Sequence, residues 1–208
     1  MSAEDWNTRY LDARGSDDSA GLWATQPHQH LQQIAGQLSP GTALDLATGD
    51  GRNAIWLAQR GWDVTAVDFS EAGLDIGRQR ETEAGLSINW QLGDVTEWAP
   101  EQQFDLITIT YLHLSEAVNT AVIRGVSQWV APGGTLLVIG HDKENLVRGT
   151  GGPQDASILY SPDMLRAATS LQVVAAEQIT RDTSADPEGP QDTGTVAIDT
   201  LLHATNAQ

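Results

Sequence analysis

The sequence predicts an α/β three-layer sandwich on a mostly parallel, seven-stranded sheet with a C-terminal antiparallel hairpin. Three observations carry this prediction. Short apolar runs alternate with segments of helical period through most of the chain. The last two strand-like runs have no helical segment between them, which makes a hairpin their simplest connection. Glycine and hydrogen-bonding residues gather just after the apolar runs, where ligands sit in an open parallel sheet.

The elements follow in order. His28–Leu38 predicts a helix ahead of the first strand, Thr42–Ala47 (TALDLA). Asn53–Arg60 has Ala54, Ile55, Leu57 and Ala58 at helical spacing, and Gly61 ends it. Asp63–Asp68 (DVTAVD) is the second strand. Glu71–Glu83 predicts a helix behind Ser70 as N-cap, weakened by Gly73 and Gly77. Ile88–Leu92 is the third strand, and Phe104–Tyr111 (FDLITITY), rich in β-branched residues, the fourth. The helix expected over Ser115–Val130 has Val122, Val126, Trp129 and Val130 on one face. Pro132-Gly133-Gly134 then forces a turn before the fifth strand, Thr135–Ile139 (TLLVI), whose apolar run suits a sheet covered on both faces.

Ser161-Pro162-Asp163 supplies an N-cap, a proline at the first helical position and a first-turn acid for a short helix to Thr169. Gln172–Thr180 and Thr195–His203 are the last strands, joined by a breaker-rich loop over Asp182–Gly194. The Asp142–Tyr160 segment holds Gly149, Gly151, Gly152 and Pro153 without periodicity, and is expected to be a cover over the substrate side. One domain is expected over 1–208, with 1–40 as an N-terminal helical or lid segment. There Trp6, Tyr10 and Trp23 either close over the site or anchor the segment in the core.

Composition narrows the function. The 208 residues suit one large domain, and 40% hydrophobic content supports a core. No apolar run approaches the roughly 20 residues that span a bilayer, and Met1–Tyr10 lacks a signal-peptide pattern. A cytoplasmic location is the expectation. The absence of cysteine excludes disulfides, zinc–thiolate sites, iron–sulfur clusters and a thiol nucleophile. A net charge of -17, with the eleven Lys and Arg scattered, disfavours nucleic acid and anionic membrane as partners. The acidity reads as solubility, or as a salty cytoplasm, ahead of a bias toward cationic ligands. Five histidines offer only His28-x-His30 as a ligand-like pair, so no metal is expected.

The strand ends carry the chemistry. Thr48-Gly49-Asp50-Gly51-Arg52-Asn53 follows the first strand, Asp68 ends the second, and Gly93-Asp94 follows the third. The fourth leads to Tyr111-Leu112-His113 and the fifth to His141-Asp142. Gly49 and Gly51 permit a turn packed against a nucleoside. Asp68 lies nineteen residues beyond Gly49, as does the ribose-binding acid of dinucleotide folds.

From Asp45 the chain reads D-L-A-T-G-D-G, which resembles the acidic-x-Gly-x-Gly-x-Gly motif of class I S-adenosylmethionine (SAM)-dependent methyltransferases, with Ala47 at the first glycine. V-D-F-S at Val67–Ser70 and G-D-V at Gly93–Val95 resemble the next two motifs. F-D-L-I at Phe104–Ile107 and P-G-G-T-L at Pro132–Leu136 resemble the fourth- and fifth-strand signatures. The resemblance covers Trp6 to Ala204 and implies a Rossmann-like fold with SAM as cofactor. It implies that Ala47, Thr48, Gly49 and Gly51 form the cofactor turn beside Arg52 and Asn53, and that Asp45 reaches the methionyl amine directly or through water. It further implies that Asp68, followed by Phe69, holds the ribose, and that Gly93, Asp94 and Val95 meet the adenine. W-N-T-R-Y at Trp6–Tyr10, L-W-A-T-Q-P-H at Leu22–His28 and G-D-G-R-N-A at Gly49–Ala54 look closest to the tellurite-resistance and thiopurine-type small-molecule methyltransferases.

A nicotinamide-dependent oxidoreductase is the competing reading. Ala54 stands where G-x-G-x-x-G needs its last glycine, and Asp50 would face a pyrophosphate with like charge. For methyl transfer, the partner is a small-molecule acceptor whose nucleophile is S, N or O. His113 and His141 are the candidate bases, and Tyr111 either bonds substrate or cofactor or packs at its strand end. A catalytically silent SAM- or nucleoside-binding protein is the remaining alternative, since function lives in the acceptor site.

Overall fold

A computed structural model of the chain describes residues 2–15, 26–183 and 196–207. The expected 182–194 loop lies outside the described residues from 184 onward, as does Trp23. Among the described residues seven strands, β1 (Thr42–Leu46), β2 (Asp63–Asp68), β3 (Asn89–Leu92), β4 (Phe104–Thr110), β5 (Val130–His141), β6 (Gln172–Asp182) and β7 (Val196–Thr205), follow the order β3-β2-β1-β4-β5-β7-β6. The chain divides into two compact units, Met1–Ala99 and Pro100–Gln208.

In the first unit, β1 (Thr42–Leu46) pairs in parallel with β2 (Asp63–Asp68), and β2 with β3 (Asn89–Leu92). Helices α3 (Arg52–Gln59) and α4 (Glu71–Ala84) make the crossovers. Leu44, Leu46, Leu57, Val64, Val67 and Leu74 are buried between strands and helices. Two more helices precede the sheet, α1 (Ala3–Gly15) and α2 (Gln29–Ala35), and α1 packs on α4. The His28 side chain caps α2 by accepting from His30 N at 3.2 Å. Ser70 caps α4 as expected, accepting from Gly73 N at 3.2 Å.

The glycines that weaken α4 as a sequence-based expectation are contact points. A Cβ at Gly77 would lie 2.4 Å from Trp90 of β3, and one at Gly73 would lie 3.0 Å from Gly49 O and from the Tyr10 ring. Packing outweighs intrinsic propensity here.

In the second unit, β4 (Phe104–Thr110) pairs in parallel with β5 (Val130–His141). β7 (Val196–Thr205) lies antiparallel between β5 and β6 (Gln172–Asp182). The hairpin is therefore as expected. Helix α5 (Glu116–Val126), continued by a 3-10 turn over Ser127–Trp129, agrees with the expected Ser115–Val130 helix. Helix α7 (Pro162–Ala168) starts at Ser161, whose side chain accepts from Met164 N.

Two expectations change. β5 begins at Val130 rather than Thr135, and Pro132-Gly133-Gly134 is an irregularity inside the strand, marked by the register shift between Phe104 and Leu106. Gly133 takes φ 77° and donates to Asn206 O at 2.7 Å, while Asn206 N returns a bond to Gly134 O at 3.0 Å. The Asp142–Tyr160 segment is also more regular than its composition suggests. It contains α6 (Asn145–Arg148) and a 3-10 turn at Ala156–Ile158. The buried Asn145 side chain pins it, accepting from Ile198 N at 2.7 Å and donating to Gly151 O at 2.9 Å. Among the described residues, no helix is long and apolar enough to cross a membrane.

Paired substitutions check the packing argument by urea denaturation. Gly125→Ala, in α5 with nothing near the new methyl, is expected to stabilise by about 0.5–1 kcal/mol. Gly77→Ala is expected to destabilise by about 1–3 kcal/mol, because Trp90 must move.

Candidate functional site

In the first unit the polar groups lie at the carboxyl ends of β1, β2 and β3. After β1 the backbone turns through Ala47 (φ 55°), Gly49 (φ 60°) and Gly51 (φ 78°). Ala47 thus adopts the left-handed conformation of the glycine it replaces, at a cost of about 1–2 kcal/mol. Side chains of two acids hold the turn. Thr48 Oγ1 donates to the buried Asp45 Oδ2 at 2.6 Å. Asp68, at the end of β2, accepts from Gly49 N at 2.8 Å through Oδ2 and from Ser70 N at 2.9 Å through Oδ1. Burial raises the Asp68 carboxyl above its ordinary range; the backbone donors oppose that shift, and the Asp50 charge adds to it.

Asp50 points elsewhere than expected. It is buried and paired with Arg80 of α4 at 2.9 Å, so its charge is compensated within the unit. The turn's N–H groups, rather than Asp50, disfavour a pyrophosphate: Gly49 N is committed to Asp68, and Gly51 N to Thr48 O at 3.0 Å. Gly51 is explained by packing, since a Cβ there would lie 2.3 Å from Trp90.

Beyond β3, Gly93 N donates to Asp68 O at 2.9 Å. Asp94 is exposed, and its Oδ1 accepts from Thr96 N at 2.8 Å and Thr96 Oγ1 at 2.7 Å. Phe69, Val95 and Arg52 are half-buried, and Asn53 is buried at the start of α3. Helix α1 closes over the glycine turn. Tyr10 is buried, and a Cβ on Gly49 would lie 2.5 Å from its hydroxyl. Asn7 Oδ1 accepts from Ser70 Oγ at 2.7 Å and from Ala72 N at 3.1 Å. Asn7 lies in the W-N-T-R-Y run, whose resemblance assigns it no role of its own.

The second unit gathers Tyr111, His113 and His141. Tyr111 follows β4 with φ 56°. Its ring lies 4.9 Å from that of His141, and the His113 ring stacks on His141 at 5.3 Å and 6°. Tyr160 holds this segment, its buried hydroxyl donating to Leu112 O. Two residues absent from the sequence-based candidates complete the group. Asp199 of β7, fully buried, lies 3.0 Å from His141 Nδ1 and accepts from Tyr111 Oη at 2.8 Å. Arg181 of β6 donates to the same carboxylate at 3.2 Å. An acid inside the apolar run VAIDTLL is the signal that could have found Asp199. Desolvation, helped by repulsion from His141, pushes the His113 imidazole down to about 3. It is therefore neutral near pH 7 and a poor base, whereas His141 keeps a carboxylate partner.

Comparison with known proteins now gives the class. A family model described as a methyltransferase domain matches residues 43–134. Residues 43–134 are thus similar to a methyltransferase domain, and with the TehB-like relatives this supports a class I SAM-dependent methyltransferase. The match includes the glycine turn, Asp68 and Asp94. A ubiquinone biosynthesis O-methyltransferase from Bordetella avium is 33% identical over 51% of this chain and 45% of its own length. A probable S-adenosyl-L-methionine-dependent methyltransferase TehB from Haemophilus influenzae is 26% identical over 55% of this chain and 41% of its own. The chain thus matches about half the length of these curated relatives. The crystal structure of TehB from the same organism superposes with a TM-score of 0.70 at 18% identity, covering 95% of this chain and 66% of that one. The N-methyltransferase NodS from Bradyrhizobium japonicum gives 0.64 at 19% identity, covering 86% and 93%. These structures share the fold of the methyltransferase.

His113 makes a pH-dependent contribution to stability. Its folded-state value lies below the unfolded one, so the unfolded chain binds the extra proton first as pH falls. Wild type is expected to lose stability relative to His113→Gln as pH falls from 6.5 toward about 3, with a constant difference above that window. Urea unfolding across the range checks the sign.

Proposed function

We propose that the protein transfers the methyl group of SAM to a small-molecule acceptor. The carrying observation is the glycine turn cross-linked by Asp68, inside the segment that matches the methyltransferase family. Its chemistry fits the cofactor: the Gly49 and Gly51 N–H groups that a pyrophosphate would need are spent internally, while carboxylates dominate the turn. When bound, SAM supplies a methyl group activated by a positive sulfonium.

In this reading Ala47, Thr48, Gly49 and Gly51 shape the turn, with Arg52 and Asn53 opening α3 beside it. Asp45 serves the methionyl amine. Asp68 retains lone pairs for the ribose hydroxyls, with Phe69 beside it, and Gly93, Asp94 and Val95 serve the adenine. The exposed Asp94 carboxylate supports an acceptor role toward an amino group. His141 is the base, and His113 is a neutral wall and hydrogen-bonding group. Tyr111 acts through Asp199. The names of relatives and neighbours include O- and N-methyltransferases, which supports a small-molecule acceptor without choosing its atom. The net charge of -17 supports the same choice over nucleic acid, and the composition supports action in the cytoplasm. Residues 1–208 serve one activity in this proposal.

Calorimetry with SAM, S-adenosylhomocysteine and NAD side by side tests the reading. Binding of the first two and not of NAD is expected, and Asp68→Ala should weaken SAM by more than roughly tenfold, about 1.4 kcal/mol. NAD binding without SAM binding would overturn it. His141→Ala should lower turnover by roughly 10²–10⁴-fold with SAM affinity unchanged; tight SAM binding with no turnover by wild type across thiols, phenols and amines would favour a silent binder.

A further inference from the structure

Asp199 faces His141 directly across the β5–β7 ladder, so backbone pairing sets their distance. The carboxylate divides its oxygens. Oδ1 lies 3.0 Å from His141 Nδ1, while Oδ2 accepts from Tyr111 Oη at 2.8 Å and Arg181 Nε at 3.2 Å. The His141 ring has little room to turn. His113 stacks on it, Tyr111 lies at 4.9 Å, and a Cβ on Gly152 would come within 2.9 Å of it.

The ionisable groups around His141 are Tyr111 and His113 after β4, Asp199 on β7 and Arg181 on β6. The adjacent Asp142 turns away to Glu144 N, Gln178 and Thr200. The His141 Nδ1–Asp199 Oδ1 approach is an ion-pair contact outside hydrogen-bond geometry, but a carboxylate charge at that distance repels a lone pair on Nδ1, which favours the tautomer protonated there and leaves the Nε2 lone pair for a substrate. Beside it, His113 Nε2 is buried with no hydrogen-bond partner among the described residues. A buried polar atom in that state calls for a polar ligand group.

We propose that Asp199 is a positioning residue that fixes His141 as proton acceptor, and that the methyl acceptor is consequently a protic nucleophile: a phenol, enol or thiol that still carries its proton on arrival. This rests on the methyl-transfer reading above. In the proton step the acceptor's O–H or S–H bond breaks, its electron pair stays on that oxygen or sulfur, and the proton bonds to His141 Nε2. The resulting imidazolium is held by Asp199 Oδ1, while Tyr111 and Arg181 keep Oδ2 occupied. A positive charge on His141 would repel a second one on the stacked His113, whose imidazole stays neutral. An acceptor that arrives as an anion would leave His141 without a task.

Nitrogen-15 NMR of the full chain labelled in histidine, with His141→Gln to assign the signal, reads the wild-type tautomer without any change at Asp199. An Nδ1-protonated His141 is expected; an Nε2-protonated one would overturn the proposal. Turnover is then compared for a phenol protonated at the assay pH and an acidic nitrothiophenol already ionised. D199N is expected to lose roughly 10²-fold or more with the first and little with the second, with calorimetric SAM affinity and melting temperature close to wild type. Equal losses with both acceptors, or none with the phenol, would overturn the positioning role. Failure of wild type to bind SAM would instead remove the methyl-transfer reading, so the two failures are distinguishable.

Discussion

A carboxylate taken out of water must collect hydrogen-bond donors or a cation, and this requirement organises both units. In the first, Asp45 takes the Thr48 hydroxyl, Asp68 takes the Gly49 and Ser70 N–H groups, and Asp50 takes Arg80. In the second, Asp142 collects Glu144 N, Gln178 and Thr200, while Asp199 collects Tyr111, Arg181 and His141. Asp50, Asp68, Asp142 and Asp199 join segments distant along the chain, whereas Asp45 holds its own turn. The geometry of the strand-end loops follows from these unions more than from loop composition.

The same constraint explains why the net charge of -17 says little about the site. The acids that shape it are inside and compensated, two of them by arginines on neighbouring elements. What sets this turn apart from a dinucleotide site is the fate of its N–H groups. A glycine turn that spends its donors on its own carboxylate and carbonyl offers little to a pyrophosphate.

In the second unit, environment divides two histidines of one residue type. His141 gains a carboxylate from the strand beside it, and His113 gains only burial and a neighbouring imidazole. Their environments therefore differ, although His141 ends β5 and His113 follows β4. The Asp142–Tyr160 segment adds to this, because Asn145 and Tyr160 fix the backbone around both rings.

Much of this is legible in the residues. The apolar periods locate all seven strands, Ser70 and Ser161 mark their helices, and the D-L-A-T-G-D-G run marks the glycine turn after β1. Pro132-Gly133-Gly134 is misleading as a turn because its bonds go to Asn206, far along the chain. By itself, then, the sequence determined what is encoded locally: element type, strand order of appearance, and the acids and glycines that mark the family. Only the tertiary structure decided that Tyr10 covers Gly49, that Trp90 fills the space of Gly51 and Gly77, that Arg80 neutralises Asp50, and that Asp199 lies beside His141. Those outcomes depend on which strands become neighbours and on what is desolvated when they do, and no periodicity of 2 or 3.6 residues carries that information.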